Sequence, residues 1–238
     1  MPQVNGQPKT VTDYKDWRAD LINRLGPYCC YCNMRLNDNP QVEHVAPKTP
    51  VPQRALDWDN MLLACGACNS RKNDELCEAS THFLPDAHDT QLAFTHRLVP
   101  HPRLPLELAV IVAVHPGLTP AQRLKAQATI TMCGLDNIPT DKQGIARASD
   151  RRWKHRYEEL LEASIWRQKW NAATLANQVV LLEAMLAIVK RGGFFSVWFD
   201  AFHDVPAVKQ LLTRAFPNTA PCVPAPTLNP VPRIAGDL

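Results

Sequence analysis

Four cysteines stand in two Cys-x-x-Cys pairs, Cys29/Cys32 and Cys65/Cys68, a spacing that turns each pair into a knuckle with its thiolates facing one point. Such a four-sulfur set makes a closed tetrahedral site, which zinc fills because it accepts soft ligands and needs no open position for structural work. Between the pairs lie Glu43, His44 and Asn60, and Asn69 follows the last cysteine directly. A carboxylate, an imidazole and two carboxamides supply hard oxygen ligands together with a base suited to neutral pH, the set that metal-assisted phosphodiester hydrolysis requires. The segment therefore reads as two metal sites with different work, a sulfur site for folding and an oxygen site for chemistry.

These residues need elements to hold them. Thr12-Asp13 can cap a helix running to Arg24, with Tyr14, Trp17, Leu21 and Leu25 at helical spacing and Gly26-Pro27 as its stop. A first knuckle spans Tyr28 to Asn33. Gln41 to Val45 reads as a strand carrying Glu43 and His44, and Asn60 to Ala64 as a second strand delivering Cys65. Gly66 starts a short helix with Asn69, Arg71 and Lys72, and the Pro-rich stretch from Pro47 to Leu56 is expected as a loop at the mouth of the site.

In order, Cys29 through Lys72 gives Cys-x-x-Cys, Glu-His-x-x-Pro, an Asn before an apolar strand, and Cys-x-x-Cys-Asn-x-x-Lys. This resembles the HNH, or ββα-metal, endonucleases. The resemblance implies that His44 takes a proton from the attacking water and that Asn60 orients the histidine or holds the loop. It also implies that Glu43 and Asn69 hold a catalytic Mg²⁺ or Mn²⁺; the family more often has Asp or His at the first position and His at the second. Arg71 and Lys72 would meet phosphate or cap the short helix. Leu84-Pro85-Asp86, Leu92-Ala93-Phe94 and Gly193 to Trp198 are further similar to PtuB-like HNH subunits of bacterial anti-phage cassettes, which work beside an ATPase in Septu systems and some retrons.

Beyond that unit, Leu84 to Pro105 shows no clear period and reads as irregular covering structure, and Leu106 to Val114 as a buried strand. Helices follow: Thr119-Pro120 to Met132, Gly144 to Trp170, Ala172 to Arg191, Phe194 to Phe202 and Pro206 to Ala215. Leu175, Val179, Leu182, Leu186 and Val189 form an apolar stripe on the third. The aromatic run from Phe194 to Phe202 reads as core, with a base-stacking platform as the alternative. Prolines crowd the tail from Pro217, which is expected to be extended or disordered.

The expected fold class is α+β, a zinc-stapled ββα-metal unit at 1–80, a connection at 81–118, a mostly α-helical domain at 119–216 and a tail at 217–238. At 238 residues and 45% hydrophobic content the chain can bury a real core. Of the eight cysteines four stand in pairs at metal spacing, which, with no apolar leader in Met1 to Lys15, points to a reducing cytoplasm rather than a disulfide scaffold. No apolar run is long enough to span a bilayer.

The net charge of +3 neither demands nor excludes nucleic acid. Arg147, Arg151, Arg152, Lys154, His155 and Arg156 crowd one stretch, a candidate phosphate contact whose alternatives are a solvated helix face or a partner-docking surface. The reading is a metal-dependent endonuclease acting on nucleic acid, DNA ahead of RNA, in a defence complex with an ATPase partner. A tRNA-cleaving RNase and a non-catalytic zinc-knuckle binding module are the alternatives.

Overall fold

The computed structural model describes residues 1–238 apart from 38, 103, 105, 139–149, 217, 218, 220, 221, 225, 226 and 234–236. Arg147 of the basic cluster lies outside the described residues. The chain opens with a short ribbon of two strands, β1 (Gln3–Val4) and β2 (Gln7–Pro8). The Asp13 side chain accepts from the Lys15 amide and caps a 3-10 turn, Tyr14–Trp17, before α1 (Arg18–Leu25) begins. The first helix thus starts as a tighter coil than its periodicity suggested, and Trp17 and Leu21 are its buried contacts.

Strands β3 (Gln41–His44) and β4 (Met61–Ala64) pair antiparallel, with His44 opposite Met61 and Glu43 opposite Leu62. All four residues of β4 are buried, since α1 packs against the strand. Helix α2 (Gly66–Lys72) follows at once, with Cys65 as its cap. These elements form the expected ββα unit.

The stretch read as irregular covering structure contains α3 (Thr90–Ala93) and β5 (Phe94–Pro100). Strand β5 pairs along its length with β6 (Leu108–Val114). Its residues are half-buried or exposed throughout, without the in–out alternation that marks a strand in a sequence, so the pairing was invisible there. Leu106, expected to begin β6, is fully exposed and precedes it.

The helices are α4 (Pro120–Cys133), α5 (Arg152–Ala172), α6 (Leu175–Gly192), α7 (Phe195–Ala201) and α8 (Pro206–Ala215). A Thr119–Gln122 capping box starts α4, and Gly134, left-handed at φ 54, ends it. Asp150 and Arg151, expected inside α5, precede it.

Besides a small cluster of Phe83, Ala93, Leu118 and Ala126, two larger cores divide the described residues differently from the expected boundary at residue 119. One surrounds the ββα unit and also takes Val112 of β6 and Ile130, Met132, Cys133 and Leu135 from α4 and its end. The other joins α5 to α8, with Trp198, Phe199 and Phe202 at its centre, as the core reading of the aromatics requires. Of the α6 stripe, Val189 is buried and Leu182 and Leu186 half-buried, whereas Leu175 and Val179 are exposed. The tail is not wholly extended either: Val223 and Leu228 are buried, Arg233 donates to the Asp86 carbonyl, and Asp237 meets Lys125 at 2.7 Å.

Candidate active site

The first knuckle is a main-chain construction. The Cys29 amide donates to Met34 O, the Asn33 amide to Cys29 O, and Asn33 takes a left-handed φ of 60 at the turn. In the second, the Cys65 sulfur accepts from the Cys68 amide at 3.4 Å, so the helix cap and the metal ligand are one atom. The four cysteine sulfurs are buried and lie within 4.8 Å of one another. Cys32 and Cys65 are 3.8 Å apart, close to the ~3.8 Å edge of a tetrahedron with Zn–S bonds of about 2.3 Å. The donor set and its geometry fit zinc, and the cysteines are free of one another covalently.

The helical half grips the first knuckle. Phe194 N donates to Asn33 O at 2.7 Å, and Ser196 Oγ donates to Asn33 Oδ1 at 2.9 Å. Gly193, at φ 86, lies so close that a Cβ there would stand 2.8 Å from Arg35 N and Asn33 O.

His44 and Glu43, adjacent on β3, meet different neighbours. The His44 ring packs on Tyr14 at 4.6 Å, and its Nε2 lies 3.0 Å from Ala55 O. A carbonyl only accepts, so Nε2 carries the proton and Nδ1 keeps its lone pair. Burial, reinforced by Lys48 and Lys72, lowers the His44 pKa and outweighs the Ala55 bond that raises it. The ring is therefore a neutral base at neutral pH.

Asn60 holds the loop rather than the ring. Fully buried, it accepts from Ala46 N at 2.7 Å and donates to Ala46 O at 2.9 Å and Arg54 O at 3.1 Å. Through this clamp the loop presents Ala55 O to His44, so Asn60 bears on the imidazole at one remove.

Glu43 faces α2. Its Oε1 lies 2.9 Å from Lys72 Nζ yet is misaligned for a hydrogen bond, leaving a buried carboxylate oxygen under-satisfied. Its pKa is raised by burial, with the Lys72 charge opposing. Asn69 is half-buried and donates from Nδ2 to Gln41 Oε1 at 2.7 Å. A carboxylate on β3 and a carboxamide on α2 are of the oxygen-donor type a hard cation takes, although Lys72 already supplies one positive charge to Glu43.

Several expected phosphate contacts are corrected. Lys72 is 1% exposed and spends its ammonium on Glu43 and on His44 O at 2.8 Å, so it ties α2 to β3. Arg152 and Arg156 are 2% and 1% exposed. A phosphate backbone cannot reach them. Arg71 and Arg151 remain exposed, Arg71 with Asp150 at 3.5 Å.

Sequence reasoning missed Lys15 and Lys48. Both are exposed, and their ammonium groups sit 5.8 Å and 5.1 Å from the Tyr14 ring that backs His44. Lys48 closes the run Glu43 to Lys48, which was the available signal.

The knuckles, hairpin and helix, with a strand-borne imidazole between them, fill residues 27–75. That same span matches the HNH endonuclease family. Septu protein PtuB of Bacillus thuringiensis is 38% identical over 55 residues, 22% of this chain and 21% of that protein. The chain thus spans about a fifth of the length of the curated relative it matches. No solved structure matches.

Proposed function

We propose that the protein is a metal-dependent HNH endonuclease that hydrolyses phosphodiester bonds of DNA. The observation that carries this reading is His44, a buried neutral imidazole whose Nε2–H is fixed on Ala55 O and whose Nδ1 is free to accept. In the reaction Nδ1 takes a proton from water as the oxygen attacks phosphorus. The P–O3′ bond breaks and the leaving 3′ oxygen takes a proton from solvent water, giving a 5′-phosphate and a 3′-hydroxyl. Lys15 and Lys48 give the scissile strand its phosphate contacts, and Asn60 keeps the loop, and so the base, in register. Glu43 and Asn69 are the residues to hold Mg²⁺ or Mn²⁺, which when bound would offset charge on the phosphate and leaving oxygen. The Cys29, Cys32, Cys65 and Cys68 centre is assigned to structural zinc.

The reading includes a place in an anti-phage defence complex, in the cytoplasm and beside an ATPase partner, and the likeness to a Septu protein supports the defence part of it. No helix among the described residues is long and apolar enough to cross a membrane. The test is incubation of the purified protein with plasmid DNA and total tRNA under Mg²⁺, Mn²⁺ and EDTA, alone and with any co-purifying ATPase. DNA cleavage that EDTA abolishes supports the proposal. Cleavage confined to tRNA would make it an RNase, and binding without cleavage under every condition would leave a zinc-knuckle binding module.

A further inference from the structure

The buried arginines of α5 need an explanation, because a guanidinium is seldom enclosed without strong compensation. Arg152 spends all five of its N–H donors. Nε and Nη2 grip Asp150 at 2.8 Å and 2.9 Å, Nη2 also meets Gly134 O at 2.8 Å, and Nη1 meets Cys133 O at 2.9 Å and the Cys68 sulfur at 3.0 Å. One turn on, Arg156 donates from Nη1 to Val110 O at 3.0 Å, while its Nε and Nη2 have no hydrogen-bond partner among the described residues. Burial lowers the Arg156 pKa, and the charges of Cys32 and Cys68 oppose that shift.

The electrostatic reason lies in the metal centre. Four thiolates around one divalent cation carry two net negative charges, deep in a medium that penalises them. Asp150 adds a third. Arg152, Arg156 and, at the rim, Arg71 supply matching positive charge.

We propose that Arg152 and Arg156 are the counter-charge of the four-cysteine centre, so that metal occupancy decides whether α5 stays docked on the nuclease unit. Arg152 is the positioning residue. It touches a ligand sulfur, the end of α4 and the start of α5 together, and so carries the state of the centre into the helical half. The metal is then a latch between two cores as well as a staple within one.

The inference rests on zinc in the four-cysteine centre, which the metal-to-protein ratio of the wild-type protein checks separately. The holoprotein is stripped with a chelator and followed by hydrogen exchange. Loss of protection should extend from residues 27–75 into β6 and the first turns of α5, while α6 to α8 stay protected. Loss confined to 27–75 would overturn the latch.

A second experiment measures metal release from intact full-length protein into a chromophoric chelator. Arg152→Met should release the metal roughly ten- to a hundredfold faster than wild type, as loss of an outer-shell partner does, and Arg152→Lys should recover part of that. Arg156→Met, which leaves the Cys68 contact in place, should also speed release. Wild-type release rates in Arg152→Lys and Arg156→Met would overturn the proposal even if Arg152→Met failed to fold.

Discussion

Two groups of cations flank the HNH domain, and they do opposite things. The dense group, Arg151 to Arg156, is where a sequence reading looks for a phosphate track, yet Arg152 and Arg156 are enclosed against the Cys68 sulfur and a strand carbonyl. The sparse pair, Lys15 and Lys48, lies 33 positions apart and stands exposed around the Tyr14 ring that packs on His44. Charge density along a chain therefore does not report exposure. A guanidinium with five planar donors can be satisfied inside a protein, whereas an ammonium with no partner stays in water.

The difference predicts unequal effects. Arg152→Ala should cost the most, on the order of 3–5 kcal/mol, because it breaks a buried charge network and leaves Asp150 enclosed beside the thiolates. Denaturant unfolding of the metal-loaded protein checks it, and a change below about 1 kcal/mol would put Arg152 back on the surface. Gly193→Ala should follow at about 1–3 kcal/mol, since a Cβ would stand 2.8 Å from Asn33 O at a left-handed φ. Its effect should fall on the docking of the helical half and leave the ββα hairpin intact.

The double change Lys15→Ala, Lys48→Ala should leave the melting temperature unaltered. It should lower nucleic-acid affinity and flatten the slope of log K against log salt by about 2. An unchanged slope would remove these lysines from the substrate path. Arg151→Ala should be nearly silent, within about 0.5 kcal/mol in stability.

What could be read from the sequence follows the range of the interactions. The knuckles, β3, β4 and α2 were legible because each is fixed by neighbours: cysteines at metal spacing, a cysteine capping its own helix, a short apolar strand. The roles of Arg152 and Lys72 were not. Arg152 finds Cys68 84 positions away, and Lys72 finds His44 O 28 positions away. No local pattern marks a cation for burial. Asn60 shows an intermediate case: its position flagged it, and the structure chose the loop over the ring. Strand β5 escaped notice because its exposure does not alternate, and the α6 stripe was legible as a pattern but is only partly covered.

His44 also carries a pH signature. A base works only when deprotonated, and burial lowers the pKa of this one from its ordinary value, so the acid limb of the rate should fall below about pH 6.5. A limb above that value would mean that the ring is charged in the working enzyme or that another group is the base.

The decisive measurement is single-turnover cleavage by His44→Ala beside wild type, with metal content determined on the same samples. The substitution removes the free Nδ1 acceptor and no sulfur ligand, so zinc content and folding should match wild type while the cleavage rate falls about a hundredfold or more. Near wild-type turnover by a fully metal-loaded His44→Ala protein would contradict the assignment of His44 as the base.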